Sequence, residues 1–247
     1  MCVDGATEQT REVDAGRDES PTIVPAVPFH DPSRLRAQLE SAAPEAVEDE
    51  ERLLDLDLQD VDLSDLEAEH VEIGGCRLAR SKLAGSDLEK LILVDTELTQ
   101  CDLANSRWSD AALTRVAIAG ARMIGFAGPG AVLQHVTIRD TVLDFASFRF
   151  AKFVKVELTD CRLQNADFVS ADLTGAVFRR CDLSGVEFSQ VKAAKAVFVD
   201  CTWDGAKGLA SLAGATVAAS SPIDTLAFTS AVTVAAGITL AHPDDLS

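Results

Sequence analysis

The side chains that most often carry chemistry are present in this chain but are not grouped for it. The four histidines, His30, His70, His135 and His242, stand far apart. No Ser/His/Asp set, phosphate-cradling glycine loop or zinc-ligand spacing occurs around them. Aspartates recur along the whole middle of the chain, which describes a solvated wall rather than one acid/base pair. Five of the six cysteines, Cys76, Cys101, Cys161, Cys181 and Cys201, fall in one repeating register. No C-x-x-C pair and no histidine shares that register, so they are expected to be small buried side chains. No catalytic residue, cofactor or metal is expected. Reduced, buried thiols suit a cytoplasmic protein.

Composition narrows the classes further. The 247 residues carry 40 acids against 22 bases, a formal charge of −18, with 47% hydrophobic side chains and no Tyr. So acidic a chain is a poor partner for phosphate backbones or anionic membranes. No apolar run reaches the roughly 18 residues of a membrane span. The first residues, with Asp4, Glu8 and Glu12, lack the basic-then-apolar layout of a signal peptide. Neither nucleic acid nor membrane is expected as a direct partner.

What must position these residues is set by a period of five. Of the 31 positions reached in steps of five from Leu53 to Trp203, thirty are apolar and only Gly128 breaks the series. Sixteen are Leu, six Phe and three Ile. A second register, two residues before each centre, is dominated by Ala, Cys and Ser. Neither a helix of period 3.6 nor a strand of period 2 explains five. A solenoid does, if each unit forms one side of a coil with the large centre and the small partner inside.

The units Ala166–Ser170, Ala171–Gly175 and Cys181–Gly185 read A/C-D-L/F-x-x. Over residues 51–205 the chain resembles the pentapeptide-repeat family. That resemblance implies an all-β fold: a right-handed quadrilateral parallel β-helix, four units or about 20 residues per coil, with short terminal helices. Nearly eight coils and a rod of roughly 37 Å follow at a strand spacing of about 4.8 Å.

Stacking by twenty predicts an internal column from Leu63 to Trp203 and another of Phe148, Phe168 and Phe188, with Phe178 and Phe198 on a neighbouring side. Residues 124–131, with Gly125, Gly128, Pro129 and Gly130, predict a bulge or kink in one coil. Phe145 and Phe150 fall two after a centre and point outward, either as partner contacts or beneath a terminal segment.

The flanks read differently. Residues 1–30 are acidic and proline-punctuated, an expected disordered segment. Asp31–Pro32 begins a short cap over 31–50, with a helix at 32–42. The last part, 206–247, carries Ser221–Pro222 and an apolar stripe, an expected helix at 222–236. Ile223, Leu226, Val234, Ile238 and Leu240 there serve either to cap the last coil or to pair two copies. The resemblance extends weakly to gyrase-protecting members, whose C-terminal module dimerises.

Charge is uneven. Residues 51–75 hold one base against nine acids, whereas 76–205 hold sixteen of each. The two sides centred on Leu63 and Leu88 carry 13 acids and six bases, and the side with Lys152, Lys155, Lys192 and Lys195 leans basic. Asp62, Asp65, Asp87 and Glu89 are therefore candidate contacts for a protein partner. The leading expectation is a non-catalytic bacterial interaction rod or scaffold. The resemblance adds a second, a DNA-mimicking binder of a type II topoisomerase. An enzyme with its site at the Gly128 bulge is the third.

Overall fold

The computed structural model describes residues 40–41, 47–220 and 238–241. The chain winds as a right-handed parallel β-helix whose every coil has four sides. We number the faces by their first centres: Leu53, Leu58, Leu63 and Ala68. The first face is a six-stranded parallel sheet running from Arg52–Leu54 to Lys152–Val154. The second is an eleven-stranded sheet from Glu40–Ser41 to Thr239–Ala241. The third is a ladder of single bridges, Asp62 to Lys82 to Asp102 and onward. The fourth begins with Glu67–Glu69 paired to Asp87–Glu89 and continues as bridges.

Why five residues make a side is visible at the corners. Every fifth residue from Glu50 to Gly205 has positive φ, and every non-glycine residue of positive φ stands in that register. Each unit is thus a short extended stretch, a three-residue strand or a single bridge, closed by a left-handed corner that turns the chain onto the next face. The left-handed region is cheap for Gly, Asn and Asp and costly for most others.

All thirty apolar centres are buried. Hydroxyls and thiols of the small register are buried too, and several donate to the carbonyl of a centre 23 residues earlier. Ser81 Oγ reaches the Leu58 carbonyl at 2.9 Å, and Thr96 Oγ1 the Ile73 carbonyl at 3.2 Å. The thiols of Cys76 and Cys161 make the same bond at 3.3 and 3.5 Å. Buried polar groups persist where they are bonded; Ser86 Oγ, in the same register, is an exception with no partner.

Three expectations are corrected. Residues 124–131 form no bulge: Arg107 bridges Ala127 and Ala127 bridges Ser147 without an inserted residue. Phe126, in the normally small register, fills the space left by Gly128, where an added Cβ would lie 3.0 Å from its ring. Large and small have exchanged places. Phe126 meets Trp108 at 5.2 Å and Phe148 at 5.7 Å between ring centroids, so the aromatic column is continuous through the exchange. Second, Phe178 and Phe198 lie on the face opposite the Phe148–Phe168–Phe188 column, because ten residues are half a coil. Phe168 and Phe178 meet edge-on across the interior at 6.1 Å. Third, of the expected 32–42 helix only Glu40–Ser41 is described, and it is a strand paired with Leu56–Asp57.

The solenoid also runs past Trp203. Gly208 takes φ +69 and passes so close to Ser189 that a Cβ would sit 2.3 Å from its backbone nitrogen, so only glycine fits. A single 3-10 turn, Leu209–Leu212, then shortens the coil by one residue, and Thr216–Ala218 pairs with Val197–Val199 at a step of 19. Thr239–Ala241 adds to that edge. The expected 222–236 helix lies outside the described residues.

Candidate interaction surface

The apolar centres of the described coils fill the interior. Beside Phe126 lies a void of about 10 Å³ walled by apolar residues, Trp108, Met123 and Phe148 among them. That is the lower limit for a single water, with none of the polar partners a water needs. Among the described residues no group of three or more His, Cys, Asp or Glu is arranged to hold a metal. None of the described helices is long and apolar enough to cross a membrane.

The five described cysteines are free and buried. Cys161, Cys181 and Cys201 stack in the small register of the third face. A hydrogen bond with Cys181 and burial raise the Cys161 thiol far above its ordinary value. A bond with Cys161 lowers Cys181, but its bond with Cys201 and burial outweigh this and push it up to about 12. Such thiols stay protonated and are poor nucleophiles.

On the walls, charges pair from coil to coil. Arg80 forks onto Asp60, two oxygens at 2.9 and 2.7 Å, and Arg180 does the same to Asp160 at 2.7 Å each. These guanidinium bonds hold both carboxyls below the ordinary range. These pairs lie in solvent, so they set the pattern of the wall more than its stability.

Of the predicted contact residues, five border the fourth face and one does not. Asp87 and Glu89 flank Leu88, Asp87 facing Arg107 at 3.9 Å and Glu89 facing Lys90 at 3.2 Å. Asp65 occupies the corner between the third and fourth faces, its carboxylate against Gly85. Asp62 lies on the third face, where the Ser64 hydroxyl and N–H lower its carboxyl together with Lys82 at 3.2 Å. Phe145 and Phe150 take the two corners of the fourth face in a single coil. Both are 63% exposed, with φ of 59° and 60°. Arg149 between them reaches Asp167 at 2.8 Å and lies 5.8 Å from the Phe150 ring. By strand spacing this aromatic pair is three coils, about 14 Å, from the Asp87–Glu89 patch. Of the proposed dimer residues, Ile238 is partly buried against the core and Leu240 is exposed on the last strand. Ile223, Leu226 and Val234 lie outside the described residues.

One surface escaped the sequence reading. The outer wall of the first face carries Leu54, Ile92 and Val132, all exposed. Its signal was available: the residue before the centre, charged in most coils, is Ile92, Ala112 and Val132 in three successive coils of this face.

A family model described as pentapeptide repeats matches residues 130–165 and 161–198, in eight copies. No curated protein matches the chain in sequence. Among solved structures, HetL of the cyanobacterium Nostoc, a pentapeptide-repeat protein involved in heterocyst differentiation regulation, is 16% identical. That match covers 60% of this chain and 87% of HetL with a TM-score of 0.34. A trypsin-treated form of QnrB1, a plasmid-mediated fluoroquinolone resistance protein, is 21% identical, covering 79% of this chain and 97% of its own at a TM-score of 0.36. Rfr23 from the cyanobacterium Cyanothece is 15% identical, covering 62% of this chain and 91% of its own, with a TM-score of 0.16. The pentapeptide-repeat model matches residues 130–198, and the same five-residue corner runs unbroken from Glu50 to Gly205, so over these coils the chain is similar to pentapeptide-repeat proteins.

Proposed function

We propose that this protein is a non-catalytic rod that binds another protein along its fourth face. The observation that carries the reading is the pair Phe145 and Phe150. Two phenylalanines hold left-handed corners, a costly conformation for a bulky side chain, and recover little of that cost by burial. Strain without a packing return is the mark of a site kept for binding. Tyr is absent and aromatic residues are scarce, so two exposed rings on one coil stand out against the rest of the wall. Buried protonated thiols fit a reducing compartment such as the cytoplasm.

The test uses Phe145→Asn with Phe150→Asn, since Asn tolerates the left-handed corner. The intact chain and this variant are each used to capture partners from the source cell. A protein retained by the first and lost from the second supports the reading. An identical set from both sinks it.

A second reading is favoured by one patch. Glu67, Glu69, Asp87 and Glu89 crowd two adjacent strands of the fourth face. Four carboxylates on so small an area resemble the charge density of duplex DNA, about one charge per 1.7 Å of axis. Beyond that patch Arg107 and Arg149 interrupt the acids, so duplex imitation toward a type II topoisomerase would be confined to the N-terminal coils. A supercoiling assay with gyrase, with and without a quinolone, tests it; unchanged activity at micromolar protein removes it.

A further inference from the structure

The outer wall of the first face is its own complement, and we propose that it is a self-association surface joining two antiparallel copies of this chain. Of the six large hydrophobic side chains left exposed among the described residues, Leu54, Ile92 and Val132 stand on this wall and Phe150 on its rim. The six strands beneath are in register from Arg52 to Val154 without a shift, so outward side chains line up in straight columns.

One column decides the occupant. Rising through the coils, the residue before each centre is Arg52, Glu72, Ile92, Ala112, Val132, Lys152 and Asp172. Bridges carry the column on from Lys152 to Asp172. A two-fold axis along the strand through Ala112 lays this column on its own reverse. Ile92 then faces Val132 of the second copy, and Ala112 faces Ala112. Glu72 meets Lys152 of the second copy, and Arg52 meets Asp172. Apolar residues meet in the middle and opposite charges at both ends. Within one copy Arg52 already holds Glu72 at 2.7 Å, so each end of the contact becomes a four-charge cluster of alternating sign. The rim adds two like pairs, Asp110 and Arg115 each against its own copy, at exposed corners where solvent screening keeps the cost small, Arg115 being already paired with Asp95.

The size of the contact sets its strength. Seven coils at about 4.8 Å span roughly 29 Å, and five residues at about 3.3 Å give a width near 16 Å. The two copies together bury on the order of 900 Å², below the 1,200–2,000 Å² of stable complexes, so the dimer is weak and concentration-dependent. Its formation leaves Phe145 and the Asp87–Glu89 patch uncovered, and it does not use the C-terminal residues.

Sedimentation of the full chain from about 1 to 200 µM tests this, weak contacts of this size falling in that range. The expected result is reversible growth toward twice 26.2 kDa. Val132→Asp and Lys152→Glu, both at exposed positions, should each weaken association about tenfold or more while the circular dichroism melt is retained. Glu72→Lys combined with Lys152→Glu should restore it to within about threefold, because the cross-copy pair is only exchanged. Deleting 221–247 should leave it unchanged. A monomer throughout, a dimer indifferent to both single substitutions, or no recovery in the exchanged pair each overturns the proposal. If Val132→Asp fails to fold, the charge exchange decides alone.

Discussion

From Leu53 to Leu103 the coil centres are Leu or Ile with one Ala, and the small register holds Leu56, Val61, Leu66 and Leu91 beside its Ser, Thr and Cys. From Phe148 to Trp203 the centres include six phenylalanines and a tryptophan, while the small register falls to Ala, Cys and Val. A fixed coil encloses a fixed volume, so a larger centre demands a smaller partner. Trp108 and Phe126 mark the crossover, and the void beside them is where the two packings fail to mesh completely. The N-terminal coils carry the acidic excess and no interior ring. The C-terminal coils stack rings, Phe148 on Phe168 at 5.4 Å and Phe178 on Phe198 at 4.9 Å, inside a neutral wall. The fold is thus specified by where bulk is placed, and the two halves differ in what the bulk is made of.

The largest expected effects strike that bulk. Phe168→Asp or Leu173→Asp puts a charge in a fully buried column and should prevent folding, read as loss of the β signal in circular dichroism. Phe168→Ala should cost about 3–5 kcal/mol and Leu83→Ala about 2–4 in urea unfolding. A costlier Leu83→Ala would mean the ring stack adds nothing.

Next comes the exchange at Gly128. Phe126→Ala should cost about 3–5 kcal/mol, and Gly128→Phe alone about 1–3 through crowding. Together they rebuild the ordinary large-centre arrangement, so the double variant should be more stable than Phe126→Ala. Additive costs in the double-mutant cycle would show that the two positions do not share one space.

The thiol column predicts a difference in alkali. Thiols of ordinary value 9.0 are held protonated in the fold, Cys181 up to about 12. Raised folded values give stability that is complete below pH 9.0 and is lost as pH rises toward 12, because only the unfolded chain ionises there. Urea midpoints should therefore fall across that window, and less steeply with Cys161→Ala and Cys181→Ala combined. Equal slopes would remove the thiols as the cause. The same thiols should label slowly in native protein and quickly in denaturant.

The smallest effect is at the corners. Phe145→Asn and Phe150→Asn should leave thermal stability unchanged or raise it by up to about 1 kcal/mol, by relieving left-handed phenylalanines. A clear loss would show the rings serving the fold rather than a partner.

Much of this was legible because the period is a packing statement: thirty centres read from sequence are thirty buried side chains. The corner was legible too and passed unread, although Asp, Asn or Gly fills 18 of its 32 positions, the residues that tolerate positive φ. Gly128 misled because a periodic reading assigns each space to its own register, whereas Phe126 reaches the centre from two residues away. The coil beyond Trp203 was lost to a step of 19, a single missing residue that ends any count by five. Asp62 was grouped with Asp87 and Glu89 by charge alone, while a corner separates their walls. The first-face stripe needed three residues, forty positions from end to end, to be seen as neighbours.

The corner at every fifth residue also governs how such a chain can change by insertion and deletion. One unit turns the path by a quarter, so losing five residues keeps the interior pattern of large and small intact. Everything downstream is rotated by ninety degrees about the rod. Excising 131–135 would carry Phe145 and Phe150 onto a different side relative to the Asp87–Glu89 patch while the interior stayed apolar. Lineages of this fold can therefore reshuffle what their walls present in quarter-turn steps, and only changes of twenty leave the display as it was.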